Sequence, residues 1–147
     1  MPDSSAIDQA LIDKLLNDAT LRALMPDGVF FEEAGASMVG GGNPTQFVIV
    51  SLVDAVDEPM FGGRAYEDVL YLVKAVELSS VATKNIKAAA ARIDVLLEDQ
   101  PLTVAGYTWM TCHRESRIRL TEVDDQDTTI RWFRRGGHYR VEMSLGT

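Results

Sequence analysis

The position of one helical segment limits the folds that are open to this chain. Between residues 79 and 101 the apolar residues Ile86, Ala90, Ile93 and Leu97 recur every three or four positions, which predicts an amphipathic helix. On both sides of it lie runs rich in aromatic and β-branched residues, which are typical of strands. A helix that separates two sets of strands indicates an α+β fold.

The remaining elements follow from the same periodicities. Ser5–Met25 is predicted to be a helix, because its apolar residues recur at spacings of three to five. Asp54–Ala65 is predicted to be a loop, and residues 124–137 fit either a strand or a short helix. The predicted strands are Val29–Ala34, Gln46–Val53, Tyr66–Glu77, Tyr107–His113, Arg117–Val123 and His138–Leu145. We therefore predict one domain over residues 1–147, in the order α-β-β-β-α-β-β(-β), with two helices packed on one face of a mostly antiparallel sheet.

The charge is unevenly distributed along the chain. The formal net charge is −8, and residues 1–60, with ten acidic and two basic side chains, account for all of it. An acidic total argues against a free-standing nucleic-acid binder, because Lys and Arg supply most of the affinity for phosphates. The N-terminus lacks the features of a signal peptide, and no apolar run approaches the roughly 18 residues of a membrane span. We expect a soluble protein that is made in the cytoplasm and has no membrane partner.

Three consecutive glycines stand before the second predicted strand. A phosphate-binding loop needs a nearby lysine and a helix that follows it, whereas Gly40, Gly41, Gly42 and Asn43 lead into a strand and have no lysine beside them. The sequence predicts instead a loop over residues 35–45. Such a loop is either a flexible connector or a segment that becomes ordered on contact with a partner.

The sequence contains no pattern typical of catalysis or of metal binding. Cys112, the only cysteine, is followed by His113, but neighbouring residues of a strand point to opposite faces and cannot form a dyad. Asp124–Asp127 resembles the start of a calcium-binding loop, yet the required glycine and glutamate are missing further along. We therefore predict a protein that is not an enzyme and has no metal or cofactor.

The arginines of the C-terminal third form the most informative group. Residues 101–147 contain no lysine and seven arginines, interleaved with Trp132, Phe133 and Tyr139: Arg114, Arg117, Arg119, Arg131, Arg134, Arg135 and Arg140. Arginine with aromatic residues is favoured at protein–protein contacts, and the alternative is a charged outer face of the sheet. Because residues 1–60 are acidic, an acidic face of one copy could meet a basic face of the next. Such a head-to-tail contact closes into a ring when the rotation permits.

Several segments carry a resemblance to a known family over nearly the full length. They are the helix ALIDKLLNDATLRAL, the strands FVIVSLVD and YEDVLYLVKAVE, the helix ATKNIKAAAARIDVLLED, and the C-terminal CHRESRIRLTEVDDQD and GGHYRVEMSL. In this order and character the chain resembles the tail-terminator, or tail-completion, proteins of long-tailed bacteriophages. The resemblance implies a ring, usually of six copies, at the head-proximal end of the tail tube. The ring stops polymerisation of the tube, and it docks to the head connector in the neck of the virion.

The resemblance also suggests roles for particular residues. Candidates for contact with a neighbouring copy or with the tube protein are Gly40, Gly41, Gly42, Asn43, Arg131, Trp132, Arg134 and Arg135. Asp54, Asp57 and Glu58 are candidates to face the channel, where like charge would let DNA pass without sticking. The alternative function is a small-ligand or regulatory binding domain of α+β fold, with a pocket between sheet and helices.

Overall fold

A computed structural model shows that the chain has an α+β fold, as predicted. The structure describes residues 5–32, 45–60, 63–78, 85–123 and 129–145. Within these ranges lie three helices and five strands: α1 (Ser5–Leu16), α2 (Ala19–Leu24), β1 (Val29–Phe31), β2 (Gln46–Met60), β3 (Gly63–Leu78), α3 (Asn85–Leu97), β4 (Tyr107–Val123) and β5 (Arg131–Leu145). No described helix has the length and apolar character that a membrane crossing requires.

The strands form one sheet in the order β1-β2-β3-β5-β4. β1 is parallel to β2, whereas the β2–β3, β3–β5 and β4–β5 pairs are antiparallel, so the prediction of a mostly antiparallel sheet is confirmed. β5 lies between β3 and β4, and β4 therefore forms one edge of the sheet. β1 lies at the other edge, and it covers only Val48–Val50 of the much longer β2.

The main core lies between the helices and one face of the sheet. α1 buries Ile7, Leu11 and Leu15, which are four residues apart and so share one side of the helix. α3 buries Ala89, Ile93 and Leu97 by the same spacing. The sheet contributes alternate residues to this core, which include Val48, Val50, Tyr71, Val73, Tyr139 and Val141. We call this side of the sheet the helix face and the other side the open face.

The N-terminal helix is not continuous, which corrects the prediction of one helix over Ser5–Met25. α1 ends at Leu16, and α2 begins after Asp18, whose backbone is extended and whose carboxylate accepts a hydrogen bond from the Leu21 amide at 2.9 Å. Asp18 is therefore the N-cap of α2. Arg92 of α3 also donates to this carboxylate, at 2.9 Å from Nε and 2.7 Å from Nη2.

The predicted loop over Asp54–Ala65 was wrong, because β2 continues to Met60 and β3 begins at Gly63. Together they form a long antiparallel hairpin in which Asp54 is opposite Leu70 and Glu58 is opposite Tyr66. Acidic and proline residues disfavour strands, but pairing with the strongly strand-forming β3 outweighs that local preference. The register shifts between Glu58 and Pro59, as expected where a proline without an amide hydrogen enters a strand.

The C-terminal third contains two long strands. The predicted strands Tyr107–His113 and Arg117–Val123 are parts of one strand, β4, with irregularities between Trp109 and Thr111 and between Arg114 and Ser116. β5 begins at Arg131, so the described end of the ambiguous segment 124–137 is a strand. Two glycines permit close packing there, because a Cβ atom on Gly136 would lie 1.9 Å from the Val73 carbonyl oxygen.

Candidate functional site

Strand alternation divides the predicted arginine–aromatic surface between the two faces of the sheet. Trp132 and Arg134 belong to the open face, where Arg134 is opposite Val76. Arg135 belongs to the helix face, opposite Ala75 of the core. Arg131 is exposed and is the first residue of β5. It precedes Arg135 by four positions and therefore belongs to the same face of the sheet. Strand alternation thus places Arg131 and Arg135 on one face of the sheet and Trp132 and Arg134 on the other.

The other predicted contact residues are distributed differently. Asp54 is exposed on β2. Asp57 and Glu58 lie in the backbone ladder of the hairpin, opposite Glu67 and Tyr66. The structure does not describe residues 33–44, and the loop that contains Gly40, Gly41, Gly42 and Asn43 falls within that range.

Cys112 and His113 lie on opposite sides of β4, as the strand alternation predicted. The Cys112 side chain is buried in the core, and burial raises the pKa of its thiol to about 12. His113 is exposed, and His138 interacts through Nδ1 with the Ser116 hydroxyl at 2.8 Å. Among the described residues no cluster of three His, Cys, Asp or Glu side chains could hold a metal ion. Cys112 is thus a core residue, because its thiol is neutral and inaccessible at physiological pH.

The most distinctive surface is a groove between α3 and the β4–β5 pair. Its volume is about 530 Å³, and we call it the basic groove. Five cationic side chains line it: Lys87, Arg114, Arg117, Arg119 and Arg135. α3 contributes the small residues Ala90 and Ala91, which leave the space open, and Asp94, the one carboxylate among the described residues of the lining.

The carboxylate of Asp94 already has partners inside the protein. Arg114 Nη1 lies 3.2 Å from Asp94 Oδ1, and the Tyr139 hydroxyl donates to the same oxygen at 3.0 Å. Burial, together with the charge of Asp94, raises the pKa of Tyr139 above its ordinary value, so the hydroxyl stays protonated and keeps donating. Asp94 therefore neutralises Arg114 at most, and the groove keeps an excess of positive charge.

Sequence reasoning did not find this groove. It identified Arg135 as a contact residue but placed it with Trp132 and Arg134, which lie on the other face. The useful signal was present in α3, where Lys87, Ala91 and Asp94 recur at helical spacing outside the apolar stripe. What the sequence could not reveal is that β4 is one strand, which brings Arg117 and Arg119 beside that side of α3.

The open face carries charges that are paired within the protein. Arg140 donates to Asp68 on β3 and to Glu115 on β4, and this hydrogen bonding lowers the pKa of Glu115. Arg134 Nη2 lies 3.1 Å from Glu122 Oε2. These cross-strand pairs give both cations a carboxylate partner within the sheet. The open face is therefore a balanced charged surface, in contrast to the basic groove.

A small aromatic cluster also lies on the open face. Phe47 packs edge-on against Phe30, with ring centroids 5.8 Å apart, and against Trp132, at 6.2 Å. Phe47, Ile49 and Val76 are buried there, and Trp132 is half-buried against them. Such edge-to-face contacts stabilise the cluster beyond the area that it buries. Trp132 thus has a packing role at the end of the sheet near β1 and β2.

Comparison with known proteins relates the chain to others through its fold. No protein-family model matches it, and no curated protein matches it. A chain of a structure described as "Virion of native gene transfer agent (GTA) particle" aligns with a TM-score of 0.64 and 20% identity, over 95% of this chain and 96% of that chain. A second solved protein, which carries only a sequence identifier as its name, aligns with a TM-score of 0.58 and 11% identity, over 96% of each chain. This chain therefore shares its fold, from end to end, with a component of a virion-like particle.

Proposed function

We propose that the protein is a structural component of a phage-like virion. In this proposal it forms a ring at the head-proximal end of the tail tube, ends polymerisation of the tube, and joins the tail to the head connector. The ring resides in the neck of the virion and is assembled in the cytoplasm of the host. DNA passes through it, and the protein itself catalyses no reaction.

The observation that carries the proposal is the fold shared with a chain of the gene transfer agent particle. The likeness covers 95% of this chain and 96% of that chain, so it concerns the whole folding unit and not a common sub-motif. The order of the helices and strands also agrees with the order of the segments that resemble tail-terminator proteins, and this agreement supports the same proposal.

The charge distribution supports assembly from identical copies. Residues 1–60 carry the whole net charge of −8, whereas the basic groove gathers five cations from residues 87–135. A surface that carries opposite charges in different places can meet a second copy head to tail, and a closed ring follows when the rotation between copies is a simple fraction of a turn. We propose six copies.

The contacts with other components remain part of the proposal. The loop of Gly40, Gly41, Gly42 and Asn43 and the exposed Arg131 are proposed to contact the tube protein or a neighbouring copy. Residues 57–58, in the distal part of the β2–β3 hairpin, are proposed to face the channel, where acidic side chains would repel passing DNA. Asp54 lies nearer the base of the hairpin.

Reconstitution with the tail tube tests the proposal. The purified protein is mixed with polymerising tube protein and imaged by negative-stain electron microscopy, and the length distribution of the tubes is recorded. We expect a ring-shaped density at one end of each tube and an end to growth there. A protein that stays monomeric in sedimentation, binds no tube end and leaves the length distribution unchanged would refute the proposed function.

A further inference from the structure

The basic groove contains cations that the rest of the described chain does not neutralise. Arg114 pairs with Asp94, as described above. For Lys87, Arg117, Arg119 and Arg135, by contrast, residues 5–32, 45–60, 63–78, 85–123 and 129–145 provide no ion pair. On the open face of the same strands, Arg134 and Arg140 do have carboxylate partners. The difference sets the groove apart from the ordinary charged surface of this sheet.

Two of the groove's arginines face each other across the sheet. Arg119 of β4 and Arg135 of β5 are direct register partners, so their side chains leave the sheet at the same place and on the same face. Like charges in directly opposite positions destabilise an antiparallel pair. A carboxylate placed between the two guanidinium groups would remove that repulsion and accept forked hydrogen bonds from both. An anionic group that contacts both side chains would therefore be stabilised at this point.

The shape of the groove suits a chain segment. A second cavity of about 300 Å³ shares Arg119 and Arg135 with the groove and is also lined by Leu120 and Phe133, so the two form one continuous trough. Apolar side chains lie along it: Val95 is exposed to 59%, and Phe133 is half-buried on the same face as Arg135. The trough thus offers cationic and apolar contacts side by side, the combination that binds an acidic segment with apolar neighbours.

We propose that the basic groove binds the acidic β2–β3 hairpin of a second copy of this chain, with the Asp54 carboxylate between Arg119 and Arg135. Asp54 is exposed, and it follows Leu52 and Val53, which are exposed to 40% and 49%. The hairpin therefore presents a carboxylate beside apolar side chains, and the groove presents arginines beside Val95 and Phe133. In the described part of the chain, the pairing of β1 with β2 ends at Val50, and the Leu52 amide donates instead to the Glu32 side chain at 3.0 Å. The inference rests on the proposed function, since it specifies one contact between neighbouring copies of the ring.

A charge exchange tests the contact. The variants are Arg119→Glu, Asp54→Arg and the double variant, and the matched control is Arg22→Glu, which reverses an exposed arginine on α2 outside the groove. Association between copies is measured by analytical ultracentrifugation, alone and with tube protein. We expect each single variant to weaken association at least ten-fold, the double variant to recover most of the loss, and the control to associate like the natural sequence.

A second readout separates loss of contact from loss of fold. Glu at position 119 would face Arg135 and replace a repulsive pair by an attractive one, so the melting temperature of the isolated Arg119→Glu monomer should stay unchanged or rise. A variant that associates less while it melts no earlier has lost a contact surface and has kept its fold.

The remaining outcomes contradict the inference. If the natural sequence assembles and both single variants assemble equally well, the inference fails while the proposed function stands. If only Arg119→Glu impairs assembly and the double variant stays impaired, the groove has another occupant, such as the tube protein. Loss of oligonucleotide binding in Arg119→Glu without any change in association would identify a nucleic-acid site instead. A natural sequence that never assembles would refute the proposed function and the inference together.

Discussion

Single residues decide how closely the central strands approach each other. Gly136 of β5 is opposite Lys74 of β3, and an added Cβ would lie 1.9 Å from the Val73 carbonyl oxygen and 2.6 Å from the Lys74 Cα. Both atoms belong to the backbone, so no rotation of a side chain could relieve the overlap. The sequence shows the two glycines but not this cause, because a glycine pair inside a strand reads equally well as a turn.

Gly136→Ala should therefore destabilise the protein by about 3 kcal/mol, at the upper end of the cost of overpacking a core. Chemical denaturation in urea measures the loss. Ser144→Ala in the same strand is the control, because it removes only a 3.4 Å hydrogen bond to the Thr108 carbonyl and should change the free energy of unfolding by less than about 1 kcal/mol. Equal stability of the two variants would show that β3 and β5 are not packed as described.

Cys112 illustrates a residue whose chemistry is set by its position. With the pKa of its thiol raised to about 12 by burial, only about one molecule in ten thousand carries the thiolate at pH 8. We expect a thiol reagent such as DTNB to modify Cys112 in the native protein only as fast as the core opens, and to modify it at once in 6 M guanidinium chloride. Rapid stoichiometric labelling of the native protein would contradict the burial of this side chain.

At the scale of elements, the sequence predicts whether a segment is a helix or a strand better than it predicts where that segment begins and ends. The apolar stripes of α1 and α3 and the β-branched run of β3 correctly indicated helix, helix and strand. The ends were less predictable, because long-range partners fix them. β2 continues through Asp54 and Pro59 because β3 pairs with it along this length. In the same way, β4 continues through Arg114 because it pairs with β5. Neither partner is visible in a local window of sequence.

The break between α1 and α2 is another feature that a distant residue supports. Asp18 caps α2 and also binds Arg92 of α3, 74 positions away along the chain. The hydrogen bond from Arg92 lowers the pKa of Asp18 below its ordinary value. The carboxylate therefore stabilises the fold at any pH above the ordinary Asp pKa of about 4, and it loses this effect as the pH falls through the lower pKa of the folded state.

Two substitutions separate the roles of Asp18. Asp18→Ala removes both cap and ion pair and should cost about 2 kcal/mol at pH 7, whereas Asp18→Asn keeps a good cap and should cost about 1 kcal/mol or less. The stability difference between the natural sequence and Asp18→Asn should shrink as the pH falls from 7 to 3, when the charge of Asp18 is progressively lost. Urea unfolding at several pH values measures it. A difference that does not depend on pH would mean that the Arg92 pair contributes nothing.

At the scale of the whole molecule, the separation of charge matters more than its total. A chain with a net charge of −8 would be expected to repel its own copies. Its net negative charge, however, comes from residues 1–60, and five of its cations gather in the basic groove. The sequence revealed the imbalance along the chain. It did not reveal that strand alternation separates the C-terminal arginines. Arg134 and Arg140 on the open face have carboxylate partners. On the helix face, the described residues provide no ion pair for Arg117, Arg119 and Arg135.

This arrangement predicts how association between copies should depend on salt. Exposed charges are screened over about 10 Å at 0.1 M ionic strength and about 3 Å at 1 M, so a contact made through arginines and carboxylates should weaken steadily as NaCl rises from 50 mM to 1 M. A contact made through apolar surface would instead be insensitive to salt, or strengthened by a salt such as sulfate. Sedimentation equilibrium in NaCl and in a sulfate salt distinguishes a charged contact from an apolar one. Arg119→Glu is the reference variant, because removal of one charged partner should make association less dependent on NaCl. Association that depends on NaCl in the same way in the natural sequence and in Arg119→Glu would exclude the charged groove as the main contact, because loss of one charged partner would then leave the salt dependence unchanged.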